Sequence, residues 1–235
     1  MKTKIMLLVS FLISLILFSN GIEIQAEEGI KKESTFYLRV GIGGGGVEAI
    51  PLKMWTNENE EVEVKTWVGG HFNFDIGYFI LPNVGLELGI GRHKNGIEAQ
   101  IKGGDGYFQR VPFGATGIYH FFVKDPLSQA FTIKLNAYGG VGVGYYMSPE
   151  LYREGAGVKT TVNYDDAFGY HILVGSSFAI DKFFLFIDMK YAFGVKYQFK
   201  EAVQNGINYT TPLFDEWGEI DGSTLSFKLG VGYSF

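Results

Sequence analysis

Residues 224–235 read Thr-Leu-Ser-Phe-Lys-Leu-Gly-Val-Gly-Tyr-Ser-Phe. Leu225, Phe227, Leu229, Val231, Tyr233 and Phe235 alternate without a break with Thr224, Ser226, Lys228, Gly230, Gly232 and Ser234. A helix would repeat its apolar residues every 3.6 positions; a period of two puts these two sets on opposite faces of a β-strand.

The same period recurs upstream. Phe36, Leu38, Val40 and Ile42 alternate with Tyr37, Arg39, Gly41 and Gly43, and Phe72, Phe74, Ile76 and Tyr78 with His71, Asn73, Asp75 and Gly77. Val84, Leu86, Leu88 and Ile90 share one face of a third segment, and Val111, Phe113, Ala115, Tyr119 and Phe121 one face of a fourth. Further stripes run from Phe131 to Tyr145, from Phe168 to Ile180 and from Phe183 to Phe193. Eight strands are therefore expected, over roughly 35–45, 63–80, 84–92, 107–123, 130–146, 166–181, 183–198 and 222–235. Short connections at 81–83, 124–129 and 181–182 alternate with long polar stretches near 46–62, 93–106, 147–165 and 199–221. Short turns at one end and long loops at the other are the layout of an antiparallel up-and-down transmembrane β-barrel, and an even strand number returns both chain ends to the short-turn side.

Composition decides which face meets which medium. Glycine is 33 of 235 residues, about twice the usual share, while aromatics reach 16% and charged residues only 19%. In a soluble barrel the second face would be solvated and rich in charge. Here that face is mostly glycine, which weakens a solvated strand but suits the crowded interior of an eight-stranded barrel. The large aromatic face exceeds what a soluble monomer exposes, and lipid removes that objection. Beyond residue 26 no apolar run is long enough for a spanning helix, so the barrel is the remaining way to cross a bilayer.

The start of the chain has the order of a secretory signal: Lys2 and Lys4, an apolar run from Ile5 to Phe18, then Ile24-Gln25-Ala26 as a small-residue cleavage site. Residues 1–26 are read as a signal peptide and 27–235 as one barrel domain. Loss of Lys2, Lys4 and Glu23 moves the formal charge from −5 to −6, which gives no sign of a nucleic-acid partner. The chain has no cysteine, so neither a disulfide nor a lipid-anchored cysteine is available.

The ending Val231-Gly232-Tyr233-Ser234-Phe235 resembles the C-terminal signal of bacterial outer-membrane barrels, with Leu229 continuing its outward set. The resemblance implies recognition of Leu229, Val231, Tyr233 and Phe235 by the barrel assembly machinery through strand addition. Val111-Pro112-Phe113, Tyr119-His120-Phe121 and the glycine-rich stretch Tyr138 to Tyr146 are similar to the small eight-stranded group that includes the outer membrane protein A barrel and outer membrane protein W. That resemblance spans nearly all of the expected mature chain. It implies a bacterial outer-membrane location, lipid as the surrounding partner and a monomer. No peptidoglycan-binding domain is expected after the last strand.

Catalytic and cofactor motifs are weak. Gly41, Gly43 and Gly46 match G-x-G-x-x-G, yet Pro51 and a polar loop follow where a dinucleotide site needs a helix. Asn208-Tyr209-Thr210 matches a glycosylation acceptor that has no role in a bacterial chain. The lipid A deacylases of the barrel families carry a serine two residues after a histidine on the lipid face. None of His71, His93, His120 or His171 has that serine, and His71, His120 and His171 fall on the glycine face. No cofactor and no metal site is expected.

The inward charges are more informative. Arg39, Asp75, Glu87, Lys134 and Asp188 lie at similar depth from the short-turn end, with Lys190 and Lys228 somewhat higher. Charges in so narrow a lumen must pair, so a salt-bridge layer closing the barrel is expected. Function would then rest with the surface loops, where Trp55, Phe214 and Trp217 are the candidate contacts, although such aromatics can also simply pack loops together. A narrow porin-like channel for small hydrophobic or other small molecules is the alternative. A lipid-modifying enzyme is disfavoured by the missing His/Ser spacing.

Overall fold

The computed structural model describes residues 36–47, 52–55, 61–66, 69–81, 83–98, 105–123, 133–155, 157–212 and 217–235, with backbone alone at 47, 52–55, 61–66, 97–98, 122–123 and 133–135. The expected signal peptide 1–26 and Phe214 lie outside the described residues, as do the side chains of Trp55 and Lys134. In chain order the strands are β1 Phe36–Val47, β2 Leu52–Trp55, β3 Glu61–Thr66, β4 Gly69–Leu81, β5 Val84–Glu98, β6 Asp105–Val123 and β7 Ile133–Gly155. They continue with β8 Val158–Tyr164, β9 Ala167–Ile180, β10 Phe183–Phe193, β11 Lys196–Gln204, β12 Ile207–Tyr209, β13 Glu219–Asp221 and β14 Thr224–Ser234.

Eight of these strands close a barrel. Each pairs antiparallel with its neighbour in the order β1-β4-β5-β6-β7-β9-β10-β14. The ring closes where β14 returns to β1, with Tyr37 opposite Ser234 and Val47 opposite Thr224. Closure leaves no free edge in the ring, so every barrel strand finds main-chain partners on both sides without water. Strands of this length, tilted as in other barrels, match the roughly 9–11 residues needed to cross a bilayer.

The two faces separate by residue type. Val40, Phe74, Leu88, Phe113, Val143, Phe168, Ile187 and Leu229 all point outward and are exposed, each on a different barrel strand. Aromatic rings gather at both rims of this apolar band. Phe36 lies 4.7 Å from Tyr78 and Phe183 5.0 Å from Tyr233 at the short-turn rim; Tyr145 lies 4.7 Å from Phe168 at the other. An apolar band between two aromatic girdles is the surface that a bilayer covers.

Glycine on the inner face makes room for large neighbours. A Cβ at Gly43 would stand 2.6 Å from His71 Nε2, one at Gly142 2.5 Å from His171 Nε2, and one at Gly41 2.7 Å from Lys228 Cγ. In each case the bulky inward side chain on one strand fills the place of the side chain missing from the next. The barrel is packed inside, not hollow.

The long connections depart from expectation. The stretches 147–165 and 199–221 were expected as polar loops, but β7 runs on to Gly155, and β8, β11, β12 and β13 form a sheet beyond the barrel. In that sheet β8 joins β7 to β11, and β11 carries β12 and β13 along its other edge. The alternation had hidden this because its phase slips twice. Ser148 adopts φ 49° beside Pro149, so Tyr146 and Leu151 both turn inward although their numbers differ in parity. A second slip lies between Phe199 and Glu201. Three strands also differ in extent: β5 runs on to Glu98, into the stretch expected as a loop from 93; β10 stops at Phe193, where Gly194 turns the chain at φ 70°; and β4 starts at Gly69, with 61–66 a separate strand against β5.

Candidate functional site

Three levels stack along the barrel axis, and the lowest is an ionic layer. Arg39 extends inward from β1, and its Nη2 reaches Glu87 at 2.7 Å, Asp188 at 3.1 Å and Asp75 at 3.4 Å. Its Nη1 donates to the Tyr138 hydroxyl at 3.0 Å, and Tyr138 in turn donates to Asp188. Tyr37 donates to Glu87 at 3.2 Å. Lys228 closes the layer by meeting Asp75 at 2.5 Å and Asp188 at 3.3 Å, while the Phe186 ring lies 4.4 Å from the guanidinium carbon of Arg39. Arg39, Asp75, Glu87 and Asp188 are each at most 3% exposed. Charges withdrawn this far from water persist only when paired and hydrogen-bonded, and the guanidinium fork suits several carboxylates at once.

Of the inward charges expected in this layer, the structure brings together Arg39, Asp75, Glu87, Asp188 and Lys228. Lys190 stands apart, with no ion pair among the described residues. Tyr37 and Tyr138 belong to the network although the sequence reading passed over them. Strand parity places both inward, but only the stagger of the strands shows which charges their hydroxyls reach.

Above the layer lies a polar chamber. Across neighbouring strands, Asp188, Lys228, Gly43, His71, His93 and Arg110 stand directly opposite one another in turn. The His71 and His93 rings stack with centroids 4.7 Å apart. His171 meets Thr116 at 2.8 Å, and its Nδ1 has no partner. Arg110, 1% exposed, donates to the Tyr197 hydroxyl at 2.9 Å, to the Gly222 carbonyl at 2.8 Å and to the Thr224 hydroxyl. It was not singled out from the sequence, because its acceptors lie at the ends of two expected strands, 183–198 and 222–235, and only the closed barrel brings them to it.

The third level is the cap. Phe108, Tyr146, Leu151, Val162, Tyr164, Val195, Tyr197, Ala202, Trp217 and Ile220 form a buried apolar cluster between the sheet and the barrel mouth. Trp217 is 1% exposed, so the contact role expected for it is corrected: it packs the cap and offers no surface. Polar pairs clasp the outside of the sheet, among them Lys196 to Glu219 at 2.7 Å and Gln198 to Glu219 at 2.6 Å. Those two donors hold the Glu219 carboxyl below the usual carboxylate range.

The family model described as outer membrane protein beta-barrel domain matches residues 13–235. No curated protein sequence matches the chain. Among solved structures, OprG from Pseudomonas aeruginosa superposes with a TM-score of 0.53 at 14% identity, covering 86% of this chain and 96% of its own. Neisserial surface protein A gives 0.51 at 15%, covering 85% and 97%. AlkL, solved by solid-state NMR in DMPC lipid bilayers, gives 0.50 at 15%, covering 90% and 94%. At these identities the likeness is one of fold.

Proposed function

Since the chain belongs to the outer membrane protein beta-barrel domain family, we propose that it is a non-enzymatic, non-conducting barrel that holds a rigid β-sheet cap at the cell surface for contact or structural roles. The Arg39 layer carries this reading. One guanidinium on β1 bonds three carboxylates and a tyrosine, contributed by four other strands, across the centre of the lumen. A path for small apolar molecules, the alternative, would have to break that network and desolvate its charges.

The cap supports the same reading. Flexible loops need no apolar core, whereas this sheet has one, so its outer polar face is presented in a fixed geometry. Catalysis finds no support among the described histidines. His171, which is bonded to the Thr116 hydroxyl, lacks among the described residues the third group that would orient it as a base. Export through a cleaved signal at 26 and insertion through the terminal outward set ending at Phe235 complete the proposal. Phe235 is half exposed, meets the Tyr233 ring edge-on at 5.1 Å and donates its main-chain N–H to the Phe36 carbonyl at the strand closure.

The test is single-channel recording of the refolded chain in planar lipid, alongside protease treatment of intact cells. A quiet membrane and a cap that resists or receives the protease from outside fit the proposal. A steady open level would transfer the function to conduction, and a protease cut confined to 181–182 would invert the orientation.

A further inference from the structure

The charges inside the barrel do not balance. Among the described residues facing the lumen from the ionic layer to the chamber, Asp75, Glu87 and Asp188 stand against Arg39, Arg110, Lys190 and Lys228. Arg39 and Lys228 are held by the carboxylates directly. Among the described residues Arg110 donates only to neutral oxygens, and its Nε has no partner. The Lys190 ammonium has no hydrogen-bond or ion-pair partner among the described residues, and it borders the chamber together with Arg110, His71 and His93. Lys190 is only partly buried, and it lines this internal space. A cation surrounded by lipid-covered walls gains more from a counter-ion than a surface lysine does, because little water screens it.

The chamber has the shape for such an ion. Its space admits only about two or three water-sized bodies, the size class of a small ion. The nitrogens of His71 and His93 reach no acceptor among the described residues, and each ring can offer one N–H inward. We propose that this chamber binds one small inorganic anion of the halide class, anchored by the Lys190 ammonium, drawn by the Arg110 charge and completed by N–H donors from the stacked histidines. One such ion balances the charges of the described residues in this part of the lumen. The site is distinct from any contact made by the cap and does not depend on whether the barrel conducts.

Two measurements test it. In crystals of the full chain soaked in bromide, anomalous scattering should place an ion in the chamber within hydrogen-bonding reach of Lys190 Nζ. A chamber without an anomalous peak overturns the proposal. In detergent, the melting temperature should rise with the logarithm of bromide concentration once the site begins to fill, and should not rise with gluconate, which is too large to enter, at the same ionic strength. Lys190→Met should abolish the difference between the two salts, and because it removes an uncompensated buried charge it should still fold. Equal curves in bromide and gluconate for the unsubstituted chain, or a bromide response kept in Lys190→Met, would overturn the site as assigned.

Discussion

The Arg39 guanidinium lies 2.7 Å from the Glu87 carboxylate, although β4 separates their strands in the barrel wall. Asp75, on that intervening strand, directly faces Arg39 in register yet stands farther from its Nη2, at 3.4 Å. The guanidinium therefore crosses the lumen instead of pairing along the wall, and it ties the layer together. Replacing Arg39 with Ala should leave three carboxylates in a space with one remaining cation, Lys228, beside the hydroxyls of Tyr37 and Tyr138. Loss of one member of a buried pair costs about 3–5 kcal/mol, less where water enters. Urea unfolding in detergent should show that loss, and planar-lipid recording should show new brief openings. A variant silent in both would remove the layer as the closure of the lumen.

Glycine position should matter more than glycine number. Gly43→Ala would press a methyl group against the Phe227 carbonyl and the His71 ring, whereas Gly70→Ala would meet nothing within 4 Å. Overpacking of this kind costs about 1–3 kcal/mol. The first substitution should lower the unfolding midpoint and the second leave it unchanged or slightly raised. Equal effects would mean that the inner face tolerates volume and that its glycines serve another purpose.

A charge on the outer face should act on insertion alone. Leu229→Arg places a guanidinium on the exposed apolar band, at a cost of about 2–4 kcal/mol near the bilayer midplane. Folding yield into vesicles should fall. Any chain that does insert should conduct no more than the parent, because the lumen is untouched. Normal insertion would place Leu229 outside the lipid band.

The cap should be separable from the barrel. Trp217→Ala empties the centre of the cap core, and truncating a buried Trp costs about 3–5 kcal/mol. Limited proteolysis should then open 194–223 rapidly while the barrel keeps its resistance to denaturation by detergent. Collapse of both together would show that the sheet is part of the barrel's own stability.

Acid should loosen one clasp of the cap. Hydrogen bonds from Lys196 and Gln198 depress the Glu219 value relative to the unfolded chain. Its contribution is therefore complete above the ordinary glutamate range and is lost as pH falls below about 4, through the lower folded value. Glu219 is solvent-exposed, so the effect is modest and shrinks with salt. Hydrogen exchange at Lys196 to Gln198 should quicken in strong acid, and Glu219→Gln should remove that dependence.

Much of this architecture was legible in the amino-acid order. A strand has a period of two whatever it pairs with, so the alternation from Phe36 to Phe235 located the eight barrel strands, chose the outward aromatics and set Arg39, Asp75, Glu87, Asp188, Lys190 and Lys228 on the inner face. Strand parity says nothing of stagger around a ring. Which inward groups meet was settled only by the closed register, which joined Tyr37 and Tyr138 to Arg39 and left Lys190 beside the chamber. The cap escaped the pattern for a different reason. A strand that slips phase at Ser148, or between Phe199 and Glu201, keeps its main-chain pairing but reverses the faces of the residues beyond. Alternation therefore failed beyond Ser148, where Leu151 turns inward, and beyond the Gly194 turn, where Tyr197 does, and only the packing of these residues with Trp217 shows that the segments read as loops form a sheet.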